Sequence, residues 1–313
     1  MPPLPDQVHS DRALEQVSLQ YKPQGLIADM VAPKVAVKRE SDFYYVYSRD
    51  TMSIPETLRA MRSESNQAKW SMSTSSYVLE EHALHDYVSD RERDNADSPI
   101  SIDVDTTEII TQKLLLRREK DLATVVQTTG NWGTGVDASA TSTIAWSTNT
   151  VTTNPVTLID SVTSLIVLNS GMKPNQLILS DAQFRAAKEH TSIVDRIKYT
   201  SPDSVTPDML AKLFNVEKVL VASGTEQTEK DDVGTTTMAF IWTDCAFLYY
   251  VPPTPGLKQA SALYTIWKDA YTTPFKVERW RETKRRSDGI EVSAMFQHKP
   301  VATACAAYLF NIV

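Results

Sequence analysis

Two β-prone segments near the start of this chain bracket a stretch that cannot bury a core. Phe43-Tyr44-Tyr45-Val46-Tyr47 is rich in aromatic and β-branched side chains, a composition that suits a pleated, half-buried surface. Further on, Trp70, Met72, Thr74 and Ser76 fall on one side of an alternating run. Between them, Arg49 to Ala68 is polar and poor in aliphatic residues. The pattern predicts a two-stranded ribbon over residues 42–79. A two-stranded ribbon is marginal in water by itself. It is therefore either an ordinary surface hairpin or one that becomes stable by lying on another subunit. Residues 1–41 pose the same problem. Prolines stand at positions 2, 3, 5, 23 and 33, a short helix is expected from Ser10 to Leu19, and Tyr21 to Ile27 breaks regular structure. This arm must rest on something else, in the same chain or in a neighbour.

The rest of the chain can bury a core. A long helix is expected over residues 105–129, with Asp105 as its cap, Glu108 at the capping-box position and Gly130 as its stop. Leu115, Leu122 and Val126 mark its apolar face, and Lys113, Arg117 and Lys120 take another. Residues 131–153 read as an extended excursion held down by Trp132 and Trp146. Asn154 and Pro155 open a second helix lined by Ile159, Val162 and Ile166, and Gly171 closes it. From Pro174 the pattern alternates between strands and helices. Leu177-Ile178-Leu179 is a strand, Ser180 with Gln183 caps a helix, Thr206-Pro207 opens another, and Val219-Leu220-Val221 is a strand. Met238 to Trp242 and Phe247 to Val251 form a further pair around Asp244. A long hairpin over 271–298 turns at Ser287-Asp288-Gly289, and Ala304 to Val313 is a last apolar strand. No internal repeat is visible.

The chemistry of known active sites is not written in this chain. Of 313 residues only 9 are glycine, and phosphate-cradling loops need glycine. Gly130 to Gly135 holds three glycines but no following lysine, and it trails a helix rather than a strand. There is no GxSxG elbow. His82 and His85 are the only close histidines and lack the HExxH spacing of a zinc protease. The acid-rich segment from Asp90 to Asp105 lacks the central glycine of a calcium loop. It reads as a solvated loop or one that pairs with a neighbour's arginines. No catalytic, cofactor or metal site is expected. Cys245 and Cys305 sit in apolar surroundings and read as buried thiols. A net charge of -7 counts against a dedicated nucleic-acid binder, which usually shows a net basic balance or a basic face. Lys284-Arg285-Arg286 is the one tight basic run, read as a solvated tip or as a contact with an acidic neighbour or DNA. No apolar run approaches the length of a membrane span, and no signal peptide is expected.

The order of arm, ribbon, long helix, α/β half, long hairpin and final strand resembles that of tailed-bacteriophage major capsid proteins with the Hong-Kong-97-like fold, which encapsulin shells share. Particular stretches carry the resemblance. Tyr21-Lys22-Pro23-Gln24-Gly25-Leu26-Ile27-Ala28-Asp29 with Val31-Ala32-Pro33 is similar to the arm of one phage capsid subfamily. Ser75 to Tyr87 and Asp90 to Pro99 resemble its approach to the spine helix, and Thr106-Thr107-Glu108 with Leu114 to Glu119 the helix itself. Asp195 to Thr200 and Phe247 to Pro253 resemble its axial domain.

The resemblance implies an α+β fold with four parts. These are an N-arm over 1–41, an extended loop over 42–79, a peripheral domain over 80–175 with 270–300, and an axial domain over 176–269 with 301–313. It implies a structural subunit that assembles with copies of itself into pentamers and hexamers of an icosahedral shell around double-stranded DNA, in a virion assembled in the host cytoplasm. Arm and loop would lie on neighbouring subunits. Tyr44, Tyr45, Tyr47, Arg49, Trp70, Arg91, Arg93, Lys284, Arg285 and Arg286 are the expected intersubunit contacts. A long scaffolding segment ahead of the arm is missing, so a separate scaffolding protein is implied, along with a portal protein and a decoration protein as further partners. DNA contact would be weak and non-specific. The alternatives are an encapsulin-type compartment shell and, from another class, an α/β hydrolytic enzyme.

Overall fold

The computed structural model describes residues 24–96, 101–132, 146, 154–198, 205–228, 237–243, 245–254, 259–268, 275–310 and 312. Its helices are α1 (Ala28–Val31), α2 (Asp90–Asp94), α3 (Ile102–Gln127), α4 (Pro155–Ser170), α5 (Asp181–Glu189), α6 (Thr191–Ile197) and α7 (Pro207–Leu213). Its first strands are β1 (Lys34–Val37), β2 (Ser41–Tyr47), β3 (Met72–Val78), β4 (Glu80–Ser89), β5 (Gln176–Ser180), β6 (Lys218–Ala222) and β7 (Thr225–Gln227). The remaining strands are β8 (Met238–Phe240), β9 (Ala246–Tyr249), β10 (Leu263–Lys268), β11 (Lys276–Glu282), β12 (Ser287–Pro300) and β13 (Ala306–Leu309). The described chain forms two units, one from residues 81–118 and 271–294, the other from 25–80, 119–270 and 295–313. The unit boundaries fall inside α3 and β12.

The larger unit is organised by a four-stranded sheet of order β13-β9-β5-β6. Leu177, Ile178 and Leu179 of β5 and all four residues of β9 are buried, so these strands read as apolar runs because both faces are covered. Strand β6 lies parallel to β5 while β9 lies antiparallel to it. The helices close one core with this sheet: Ile159, Val162 and Ile166 of α4, Leu210 of α7 and Trp146 join Leu177, Leu179 and Leu248. Local signals set the helix ends as expected. The Asn154 side chain accepts from the Val156 N–H, Pro155 takes the first turn, and Gly171 ends α4 at φ 70. Thr206 caps α7 by accepting from the Met209 N–H. Ser180 stands at the N-cap of α5 but its side chain makes no cap bond, and Gln183 is buried rather than capping. The pairing expected between 238–242 and 247–251 does not form: β8 pairs with β7, and β9 lies between β5 and β13. Asp244, the centre of that expected pair, lies outside the described residues. In the same unit β1 runs parallel to β10, which pairs with the end of β12. Both thiols, Cys245 and Cys305, are free and buried.

In the smaller unit β11 and β12 form a hairpin, with Glu282 opposite Ser287 and Lys276 opposite Ser293. The turn is therefore Thr283 to Arg286, and Ser287-Asp288-Gly289 lies within the strand. Gly289 has a packing reason to be there instead. A Cβ at this position would stand 2.4 Å from the Trp280 ring on the opposite strand. Strand β4 also pairs with β12, and Ile110, Leu114, Val292 and Phe275 make the core.

Helix α3 is 26 residues long, about 39 Å at 1.5 Å per residue. It starts three residues before the expected cap, so Asp105 lies in its first turn with Asp103, where carboxylates favour the dipole. It ends at Gln127, and Gly130 sits in a short 3₁₀ turn beyond it. Its buried apolar positions are Ile110, Leu114, Leu122, Ala123 and Val126. Leu115, expected on the buried face, is only half-covered; the row steps by four residues and passes through Leu114. Of the expected excursion over 131–153, the described residues are Asn131, Trp132 and Trp146. Both indoles are buried, and Trp132 Nε1 donates to the Val126 carbonyl at 2.7 Å. The expected helix from Ser10 to Leu19 lies outside the described residues.

Candidate subunit-interface elements

The two strands of the ribbon form as expected, and they pair with Phe43 opposite Ser76, Tyr45 opposite Thr74 and Tyr47 opposite Met72. Alternation along β2 sends Phe43, Tyr45 and Tyr47 to one face. That face is open: Phe43 is 73% exposed and Tyr45 67%. Trp70 and Met72 extend it, and the Trp70 ring stacks against Tyr47 at 6.2 Å. Tyr44 points the other way and is half-buried. Beyond the strands, Ile54, Leu58 and Met61 are almost fully exposed. The tip is thus less polar than its composition suggests. Exposed aromatic and aliphatic groups so closely grouped are uncommon on a monomeric protein.

The base of the ribbon is tied to its own subunit. Arg49 Nη1 donates to the Asn169 carbonyl at 2.9 Å, a cation on the last free carbonyls of α4. The Met52 methyl lies 3.0 Å from where a Cβ on Gly171 would stand. Arg49, expected as an intersubunit contact, is therefore engaged at home.

In the smaller unit the acid-rich segment meets arginines of its own chain. Arg281 forks onto Asp90, Nη1 to Oδ1 at 2.7 Å and Nη2 to Oδ2 at 2.6 Å, and Nη1 also meets Asp288 at 2.9 Å. Arg93 pairs with Asp103 at 2.9 Å and Asp288 at 3.0 Å, and Arg279 with Asp103 at 2.6 Å. Ser89 and Glu92 form a capping box at the start of α2, which holds Asp90 and Arg93 in place. Arg91, next to them, is exposed. Hydrogen bonds from Arg281 hold Asp90 and Asp288 below the usual carboxylate value of 3.8, and one from Arg93 does the same for Asp103. A carboxyl whose folded pKa is depressed contributes stability above its unfolded pKa and loses it as pH falls through the folded one. Each half-exposed pair contributes little alone, so a graded effect is expected. The melting temperature of free subunits should stay level down to about pH 4 and fall below it. Arg281→Met should flatten part of that fall. An unchanged acid profile in this variant would show that the network does not support the fold.

Lys284, Arg285 and Arg286 occupy the exposed hairpin turn. Arg286 adopts φ 50, and its carbonyl accepts from the Asp90 N–H at 3.0 Å. The Arg285 guanidinium lies 4.8 Å above the Tyr87 ring. This brings Arg91, Arg93 and the basic turn into one unit, and the ribbon residues into the other. Of the cations on the polar face of α3, Lys120 is paired with Glu226 at 2.7 Å. Among the described residues no cluster of three metal-ligating side chains forms, and no helix is long and apolar enough to cross a membrane.

Two features escaped the sequence reading. Phe43 was recognisable as strand but not as the most exposed member of a face, although its i, i+2, i+4 spacing with Tyr45 and Tyr47 carries that signal. Glu119 had no signal at all. It sits in a charged run, Arg117-Arg118-Glu119-Lys120, yet is fully buried and bonded to the start of α1 and to Trp242.

No family model matches the chain. It is 25% identical over 250 residues to the major capsid protein of Burkholderia phage BcepMu, covering 80% of this chain and 78% of that one. It is 26% identical to the major capsid protein of Pseudomonas phage JBD67 over 67% of each chain. Among solved structures, a phage-related protein of Bordetella bronchiseptica superposes with a TM-score of 0.70 at 21% identity, over 93% of this chain and 94% of that one. The capsid of cyanophage P-SCSP1u superposes at 0.63 and 9% identity, over 94% and 90%. An encapsulin complex from Synechococcus elongatus gives 0.57 and 12%, over 97% and 96%. The chain has the Hong-Kong-97-like fold of phage capsids and encapsulins, an α+β architecture. Within that class its sequence likeness is to phage major capsid proteins, and it is a structural subunit of a capsid shell.

Proposed function

We propose that copies of this chain assemble into pentamers and hexamers of an icosahedral shell that encloses a double-stranded DNA genome. The observation that carries this is the ribbon. Phe43, Tyr45, Tyr47, Trp70 and Met72 are exposed together on two strands with no core beneath that face. Burying them on a neighbouring subunit supplies apolar stabilisation of about 25 cal/mol per Å². Tyr45, Tyr47 and Trp70 lead the contact set, with Tyr44 on the ribbon's other face. Arg49 and Arg93 act by holding ribbon and hairpin in place. Arg91, Lys284, Arg285 and Arg286 offer exposed positive charge to an acidic neighbour. In this reading the peripheral domain takes 80–175 with 270–300, drawing residues from both units, and the axial domain takes 176–269 with 301–313, all from the larger unit.

Scaffolding and portal proteins are the partners this reading brings with it, and a decoration protein is compatible with it. Assembly takes place in the host cytoplasm and the product is the virion capsid. DNA lies against the shell through weak, non-specific contacts, as a net charge of -7 favours. The subunit needs no catalytic group or cofactor for this task. The test is electron microscopy and sedimentation of the purified protein, alone and after co-expression with its scaffolding and portal genes. Closed shells or capsomers are expected. Compact monomers under every condition would overturn the reading.

A further inference from the structure

Glu119 lies in the second half of α3 with its side chain shut off from water. A buried carboxylate is costly unless hydrogen-bond donors meet it, and here three do. Oε2 accepts the backbone N–H of Ile27 at 3.0 Å and of Ala28 at 2.7 Å, and Oε1 accepts Trp242 Nε1–H at 2.6 Å. The two backbone groups sit at the start of α1, where no helical carbonyl can take them. An aliphatic side chain would fill the same space with no charge to desolvate, but it would leave these three N–H groups without that acceptor. What the carboxylate adds is a fixed address for the chain at residues 27 and 28.

The flanking residues are fixed as tightly. Gly25 adopts φ 74, and a Cβ there would meet Ser223 Oγ at 2.1 Å, so this approach requires glycine. Val31 and Ala32 are buried. The Pro33 carbonyl accepts from the Thr265 N–H at 3.0 Å, and β1 then pairs along β10. Residues 25–37 therefore belong to their own subunit, although the sequence reads as arm up to residue 41.

We propose that Glu119 is the positioning residue of the N-terminal arm. Its carboxylate locks residues 25–37 in place, sets where the chain leaves the subunit, and leaves only the segment ahead of Gly25 to reach a neighbour. This rests on the shell reading above. Glu119→Gln is the informative variant. Glutamine keeps the size but offers one acceptor oxygen and turns an NH₂ toward donors.

The experiment uses the full-length protein and first records shell formation by the wild type. For Glu119→Gln, amide exchange over residues 26–32 should quicken at least tenfold while that of 177–179 stays unchanged, and shell yield should fall at least tenfold. Deleting residues 1–24 should leave exchange over 26–32 and subunit melting unchanged yet abolish shells. Wild-type shell yield from Glu119→Gln, unchanged protection over 26–32, or normal shells after the deletion would each overturn the proposal. Should Glu119→Gln fail to fold, two deletions decide. Removing 1–33 must lower subunit melting where removing 1–24 does not, and equal melting of the two would overturn it. If the wild type itself forms no shells, the functional reading falls, and the exchange result still decides the clamp.

Discussion

A chain lacking residues 53–68 should fold and melt as the intact one does, yet close no shells. The cut spares Arg49 and Met52, which fix the base of the ribbon on α4, and it removes Ile54, Leu58 and Met61, all more than 80% exposed. No core contact of the subunit is lost, so subunit stability should change by no more than about 0.5 kcal/mol. At an interface the same groups matter far more. Truncating a central aromatic or aliphatic anchor typically costs about 1–2 kcal/mol or more, and each 1.4 kcal/mol is roughly tenfold in an association constant. The milder variant Phe43→Ser with Tyr45→Ser should likewise spare the subunit and weaken the shell. Shells of normal yield and heat stability from the deletion variant would place the ribbon outside the interface.

Leu122→Asp should yield insoluble or unfolded protein. Leu122 is fully buried on α3, in the larger unit. An unpaired carboxylate there would cost several kcal/mol, a large part of a domain's total stability. Leu115→Asp is the control: its side chain is only half-covered, so the charge can reach water and the protein should remain soluble. Comparing the two by soluble yield and melting temperature tests the register of the helix. If Leu115→Asp proves as damaging as Leu122→Asp, the face is not the one observed.

The helix shows where sequence stops being informative. Periodicity located it and named Leu122 and Val126 correctly. It could not separate Leu115 from Leu114, because neighbouring positions in a Leu-Leu-Leu run differ by one 100° step and both fit an apolar stripe. Caps in α4 and α7 were legible because Asn154-Pro155 and Thr206-Pro207 act within one turn. Strands β5, β6 and β9 were legible because each holds a run of consecutive apolar residues, buried on both faces in β5 and β9. Their partners were not. Whether 247–251 pairs with 238–242 or with β5 depends on which apolar surfaces meet, and nothing local to either segment encodes that.

The same division runs through the candidate interface. By itself the sequence determined that the ribbon lacks a core and that its aromatic residues alternate. The likeness to phage capsid proteins was legible in segments spread along the chain. Only the tertiary structure decided which face is open, placing Phe43 with Tyr45 and turning Tyr44 away. Only the tertiary structure showed that Asp90, Asp103 and Asp288 are spent on arginines of the same chain. And only the tertiary structure revealed Glu119, since a carboxylate in a charged helical run looks solvated until the distant N–H groups that meet it, from residues 27, 28 and 242, are folded onto it. Local propensity and periodicity act over a few residues. The energy of a buried charge is set by groups about ninety and a hundred and twenty positions away.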